Sequence, residues 1–163
     1  MALELYRIDD RLIHGQVVVG WGQPLDLRFI VLVDEEVAAS DWEQELYRMG
    51  VPPEMDVYFE SVESAGARLA AYQRDPRPGL LLTGDIETMA RLVESAGTIP
   101  TVNLGGIHHK AGRVQRLRYI FLSPSEEAAL RALQARGVVV SAQDVPAARP
   151  LPLEEVLAGE GNR

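Results

Sequence analysis

Apolar residues fall along this chain in two alternating patterns. The first is short and unbroken: Leu3 to Ile8, Arg28 to Val33, Met55 to Phe59, Leu80 to Thr83, Thr101 to Leu104, Tyr119 to Leu122 and Val138 to Val140 read as strands. In Phe29-Ile30-Val31-Leu32-Val33 no polar residue interrupts the run. A strand written that way is buried on both faces, as strands of a parallel sheet are. The second pattern has helical period and lies between the strands: Val37 to Met49 ending at Gly50, Ser61 to Tyr72, Asp85 to Ser95 ending near Gly97, and Ser125 to Arg136 ending at Gly137. The glycines stand where a left-handed C-cap is needed, and Asp85 and Pro124 stand where helices start. Pro152 to Leu157 adds one more short helix.

Strands alternating with helices predict an α/β fold: an open, mainly parallel sheet of about seven strands with helices on both faces. Gly15 to Trp21 is ambiguous, because three successive valines favour a strand while a parallel crossover to Arg28 wants a helix; a helix is the expectation. No repeat or linker divides the 163 residues, so one domain over 1–158 with a frayed tail at 159–163 is expected.

Composition narrows the function. Hydrophobic residues at 47% and charged residues at 25% are an ordinary globular balance. A formal net charge of −8 disfavours nucleic acid and anionic membrane surfaces as partners. The absence of cysteine excludes disulfides, thiolate nucleophiles and cysteine-held metals. Met1 to Tyr6 already read as strand, leaving no room for a signal peptide, and no apolar run reaches the roughly 18 to 20 residues of a membrane span. A cytoplasmic protein is expected.

In open α/β sheets, ligands bind beyond the carboxyl ends of the strands. The richest such segment follows the first strand: Asp9-Asp10-Arg11-Leu12-Ile13-His14-Gly15-Gln16. It offers an imidazole at the start of a helix, a guanidinium three residues earlier, two carboxylates, and a glycine that lets backbone amides approach a ligand. A neutral imidazole with pKa about 6.5 is a nucleophile that needs no separate base. Once phosphorylated, its dianion would be held by a guanidinium and helix-start amides. On spacing alone, a partly buried histidine that merely starts a helix fits the same residues.

The whole string Tyr6-Arg7-Ile8-Asp9-Asp10-Arg11-Leu12-Ile13-His14-Gly15-Gln16-Val17 resembles the N-terminal signature of the sorbose-type IIB family of the bacterial sugar phosphotransferase system. Val31 to Ala38, the Asn103-x-Gly105-Gly106 turn, and Ala135 to Val138 with Ala142 to Pro146 are similar to further segments of that family. The resemblance implies a protein-Nπ-phosphohistidine–sugar phosphotransferase component of the mannose/fructose/sorbose class. It implies His14 as phosphoryl carrier, Arg11 as phosphate ligand, Asp9 or Asp10 as orienting carboxylates, and Gly15 and Gln16 around the phosphate. It implies as partners a phosphorylated IIA domain, which this chain is expected to lack, the membrane subunits IIC and IID through which alone it would meet a membrane, and a sugar; no cofactor is implied.

From Asn103 to Ser125 no acidic residue occurs, while His108, His109, Lys110, Arg113, Arg116 and Arg118 do. The patch reads either as a solvated hairpin or as a docking place for an acidic partner or a phosphate. Metal binding by the adjacent histidines is a weaker reading, since their side chains splay apart and no carboxylate has ligand spacing. Gly15-x-x-x-x-Gly20 has P-loop spacing but is followed by Trp21-Gly22, so the lysine and hydroxyl of a nucleotide site are missing. Asp34-Glu35-Glu36 reads as a helix start and is assigned no metal. The competing reading of function is a regulatory or anion-binding module of the same fold that contacts partners through the basic 110–118 segment.

Overall fold

A computed structural model describes residues 3–159. The apolar runs form a seven-stranded sheet: β1 (Leu3–Ile8), β2 (Phe29–Val33), β3 (Asp56–Glu60), β4 (Gly79–Thr83), β5 (Thr101–Leu104), β8 (Val139–Ala142) and β9 (Leu151–Pro152), in spatial order β3-β2-β4-β1-β5-β8-β9. All neighbours pair in parallel except the last, where β9 runs antiparallel to β8. The unbroken run of β2 is explained by burial on both sides. Phe29, Val31 and Val33 join the core under helices α3 (Val62–Arg74), α4 (Ile86–Ala96), α5 (Pro124–Ala135) and α6 (Leu153–Leu157). Ile30 and Leu32 join a second core on the other face with Val17, Val18, Val37 and Met55.

Local signals set the helix boundaries. Asp85 accepts from the Thr88 N–H at 2.7 Å, and Ser61 and Ser123 each close a capping box. Gly97 ends α4 at φ +71°, a conformation open to glycine at little cost.

The structure corrects three expectations. Val37 to Met49 is not one helix: α1 (Glu35–Ala38) stops at Ala39, and Ser40 adopts extended backbone and caps α2 (Asp41–Met49) through the Glu43 N–H. Tyr119 to Leu122 is not a strand of the main sheet. Its core, β7 (Ile120–Leu122), pairs antiparallel with β6 (Val114–Leu117) in a separate hairpin, and the seventh strand is β9, too short at two residues to be read from periodicity. Gly159, expected at the start of a frayed tail, is buried, and its carbonyl accepts from the Arg116 guanidinium at 3.3 Å; the rest of that tail lies outside the described residues. The ambiguous segment is a helix, of π type, over Gln16–Trp21. Its wide turn is closed by the Gly22 N–H bonding back to the Val17 carbonyl at 3.0 Å.

β1 lies at the switch of the sheet. The chain leaves β1 for the face that carries Val17 and Val18, whereas it leaves β4 for α4, and β5 for the β6–β7 hairpin and then α5, on the opposite face. Loops diverge at that point and open a crevice beyond the end of β1.

Register across β2 and β4 can be tested at Gly79, which pairs with Phe29. A Cβ at position 79 would overlap the Phe29 ring. Gly79→Ala is expected to cost about 1–3 kcal/mol by overpacking, which lowers Tm by about 2–4 °C per kcal/mol in a chain of this size. An unchanged thermal midpoint would contradict this register.

Candidate functional site

The loop after β1 is shaped by one unusual backbone position. Leu12 has φ +59°, a left-handed conformation that costs a branched side chain about 1 kcal/mol or more. The turn is closed by the Leu12 N–H donating to the Asp9 carbonyl at 3.0 Å, and Leu12 packs on Gly84, where any Cβ would crowd it. Ile13 is buried beyond the turn, and His14 comes back over Asp9.

Asp9 is buried and collects five contacts. The Arg11 backbone N–H and Nε donate to its Oδ1 at 3.1 and 3.0 Å, and Arg11 Nη2 donates to Oδ2 at 2.9 Å. Arg7 Nη2 reaches Oδ2 at 3.5 Å, and His14 Nε2 stands 3.6 Å from Oδ1. Burial alone would raise the Asp9 pKa, but the Arg11 hydrogen bonds and the two guanidinium charges outweigh it and hold the carboxyl below its ordinary value. Asp9 is therefore a carboxylate at neutral pH.

His14 is fixed at its other nitrogen. The Gln16 backbone N–H, at the first residue of the π-type helix, donates to Nδ1 at 3.2 Å. Nδ1 thus carries the lone pair and the proton of the neutral ring sits on Nε2, toward Asp9. Burial pushes the His14 pKa below its ordinary value; Asp9 opposes that shift and Arg11 adds to it. The ring is neutral at pH 7, with a nucleophilic nitrogen aimed at the start of a helix. Arg11 extends to that helix start, its Nη1 donating to Gln16 Oε1 at 2.8 Å. A Cβ on Gly15 would meet nothing within 4 Å, so the space at Gly15 is open.

Beneath these groups lies Arg7, fully buried near the carboxyl end of β1. It donates to Asn103 Oδ1, to the Gln143 carbonyl at 2.8 Å and to the Asp144 carbonyl at 3.3 Å, and its guanidinium stacks 4.6 Å from the Trp21 ring centre. It thereby ties the ends of β1, β5 and β8 to the π-type helix. Gly105 is glycine because a Cβ there would run into the Arg7 guanidinium. Arg7, Trp21, Gln143 and Asp144 carry no site assignment in the sequence reading. The visible signal for Arg7 was a charged residue inside an otherwise apolar strand run, which a two-sided sheet tolerates only when the charge is paired.

The structure brings Asp9, Arg11, His14, Gly15 and Gln16 together and separates Asp10 from them. Asp10 does not orient His14. Its Oδ2 accepts from the His108 N–H at 2.7 Å, and its Oδ1 lies 2.6 Å from His108 Nδ1, so it fastens the loop after β5 to the loop after β1. Asp10, Arg11, His108, Lys110 and Arg113 line a shallow groove of about 450 Å³ with Asp34 and Asp85. The basic segment is less free than its sequence suggests. Arg113 donates to Glu126 at 2.9 and 2.7 Å, Arg116 to Glu127 at 2.8 Å, and Arg118 to Asp144 at 3.1 Å; His109 packs edge-on against Phe121. Arg113 and Arg116 anchor the hairpin to the first turn of α5, where their charges are neutralised.

No helix among the described residues is long and apolar enough to cross a membrane. Residues 3–163 match the family model described as the PTS system sorbose subfamily IIB component. The chain is 32% identical to the N-acetylgalactosamine-specific phosphotransferase enzyme IIB component 1 of Escherichia coli K12, covering 87% of this chain and 90% of that one. It is 28% identical to the mannose-specific EIIAB component of the same organism over 97% of this chain and 49% of the relative. The crystal structure of the IIBSor domain of the sorbose permease from Klebsiella pneumoniae superposes with a TM-score of 0.86 at 28% identity, covering 97% of this chain and 98% of that one.

The His14 environment predicts a signed titration. NMR should place its imidazole pKa below about 6.5. Asp9→Asn should lower it further, because a negative neighbour is lost, and Arg11→Ala should raise it. Because the unfolded chain binds this proton more tightly, the His14 contribution to stability is intact above pH about 6.5 and falls as the pH drops through that value. A wild-type pKa above 6.5 would contradict the burial that sets it.

Proposed function

The chain belongs to the sorbose subfamily of phosphotransferase-system IIB components, and from that premise we propose that it is a cytoplasmic phosphohistidine carrier. It takes a phosphoryl group on His14 from a phosphorylated IIA domain and delivers it to a sugar of the mannose, fructose, sorbose or amino-sugar class during transport by IIC and IID. The observation that carries this reading is the fixed polarity of the His14 ring: a lone pair on Nδ1 beside the Gln16 amide, and an N–H on Nε2 toward Asp9.

In the first transfer, Nδ1 of neutral His14 attacks the phosphorus of the donor phosphohistidine. The Nδ1–P bond forms as the donor N–P bond breaks, and the electron pair stays on the donor nitrogen. His14 keeps its Nε2 proton, so the ring becomes cationic, and the Asp9 carboxylate 3.6 Å away compensates that charge. The Gln16 N–H, released from Nδ1, donates to a phosphoryl oxygen, and Arg11, held by Asp9, adds a guanidinium donor. In the second transfer a sugar hydroxyl attacks phosphorus and gives up its proton to solvent water, the N–P bond breaks and the pair returns to Nδ1, leaving a neutral imidazole ready for another cycle. A ring kept protonated on Nε2 is the better leaving group. The work of the protein is positioning and charge compensation, as is usual for phosphoryl transfer.

The regulatory-module reading relied on a free basic face over 110–118, and the pairing of Arg113, Arg116 and Arg118 with acidic residues takes most of its support away.

Purified chain incubated with phosphoenolpyruvate, enzyme I, HPr and a cognate-type IIA should gain one acid-labile phosphate by intact mass, and His14→Ala should gain none. Arg11→Ala should slow uptake by about 100-fold or more, the usual cost of losing one preorganised charge-stabilising donor. The wild-type rate should fall only at pH below about 6.5, as the imidazole protonates. Phosphate on the His14→Ala variant would overturn the assignment.

A further inference from the structure

Helix α2 is turned inside out. None of its nine residues is buried. Toward the sheet it presents polar and aromatic groups: Gln44 Nε2 donates to the Val37 and Ala38 carbonyls at 3.0 and 3.2 Å, and Tyr47 and Arg48 lie against the Phe59 ring at 6.4 and 5.0 Å. Its large apolar side chains face the other way. Trp42, Leu46 and Met49 are 68%, 56% and 77% exposed. Spaced i, i+4 and i+7, they form one continuous stripe. Apolar residues at that spacing ordinarily face the core; here the core beneath α2 is already closed by Ile30, Leu32 and Val57. Because the chain must return from the end of β2 to the start of the parallel strand β3, the first turn of α2, with Trp42, lies toward the site end of the sheet.

On the reading of the chain as a carrier that serves a membrane transporter, we infer that the Trp42–Leu46–Met49 stripe is the docking surface for the cytoplasmic face of a membrane-embedded subunit. Tryptophan and methionine are enriched at the centres of protein interfaces. Charge selects among the occupants. Asp41, Glu43 and Glu45 rim the stripe, with only Arg48 of opposite sign, 3.9 Å from Glu45. A second copy would bring two acidic rims together on bodies that each carry a formal charge of −8. An anionic lipid surface would repel the rim as well. Cytoplasmic loops of integral membrane proteins carry an excess of lysine and arginine, and an apolar patch among such loops complements this helix in both polarity and sign.

The test uses inverted membrane vesicles that contain the IIC and IID subunits, the same vesicles without them, and liposomes of phosphatidylethanolamine and phosphatidylglycerol. Co-sedimentation is read alongside tryptophan emission, in which Trp21, only 3% exposed, gives a constant background. Wild type should bind only the vesicles with both subunits, with a blue shift lost in Trp42→Phe. Leu46→Asp and Met49→Glu should each weaken binding at least tenfold while His14 is phosphorylated by IIA at the wild-type rate, which also shows that these variants are folded. Undiminished binding by both charge variants overturns the inference. So does equal binding to plain liposomes, which assigns the stripe to lipid, or a wild-type dimer in solution that Leu46→Asp dissociates, which assigns it to a second copy. Loss of His14 phosphorylation in the wild type would strike the carrier reading instead, and it is read independently of the binding.

Discussion

The site depends on one buried carboxylate. Asp9 sits between two guanidinium groups and an imidazole: it holds the Arg11 guanidinium at 2.9 and 3.0 Å and lies within 3.6 Å of Arg7 and His14. An ionised carboxyl in a protein interior is costly unless paired and hydrogen-bonded. Arg7 from below and Arg11 from the side meet that cost, and of the two guanidinium groups only that of Arg11 is also open to solvent. The Gln16 N–H on Nδ1 leaves the proton of His14 on the inner nitrogen, facing the same carboxylate, and its lone pair on the outer one, which is the polarity the proposed phosphoryl transfer uses.

That arrangement is affordable only at this place in the fold. β1 is flanked on both sides by parallel strands whose connections leave for the opposite face, which opens space above Asp9 without exposing the strand beneath it. Arg7 can be fully buried because three strand ends converge on it, supplying Asn103 and the Gln143 and Asp144 carbonyls, while Trp21 covers its face. The two consecutive glycines after β5 let the backbone pass close to both guanidinium groups: a side chain at Gly105 would strike Arg7, and one at Gly106 would press on Arg11 and Asp9. Sheet order and site chemistry therefore constrain each other.

Much of this was legible in the chain. Unbroken apolar runs announced a sheet buried on both faces, and the cluster from Asp9 to Gln16 stood out because a histidine, an arginine and a glycine converge on a helix start. Other features were hidden for identifiable reasons. β9 is held by a long return from β8 and carries no period of its own, and Tyr119 to Leu122 has the composition of a strand whichever partner it takes. The division of labour between Asp9 and Asp10 could not be read because consecutive residues diverge: the first points into the site and the second out to His108. The basic segment misled because its counter-charges, Glu126, Glu127 and Asp144, lie 11 to 26 residues away and meet it only after folding.

The central claim is that the fold selects Nδ1 of His14 as the phosphoryl carrier while Nε2 keeps its proton. Nitrogen NMR of histidine-labelled protein, before and after phosphorylation through IIA, reads both nitrogens of the ring. The account predicts that the phosphoryl group appears on Nδ1 of His14 and that Nε2 stays protonated beside Asp9. A phosphoryl group on Nε2, or on His108 or His109, would contradict it.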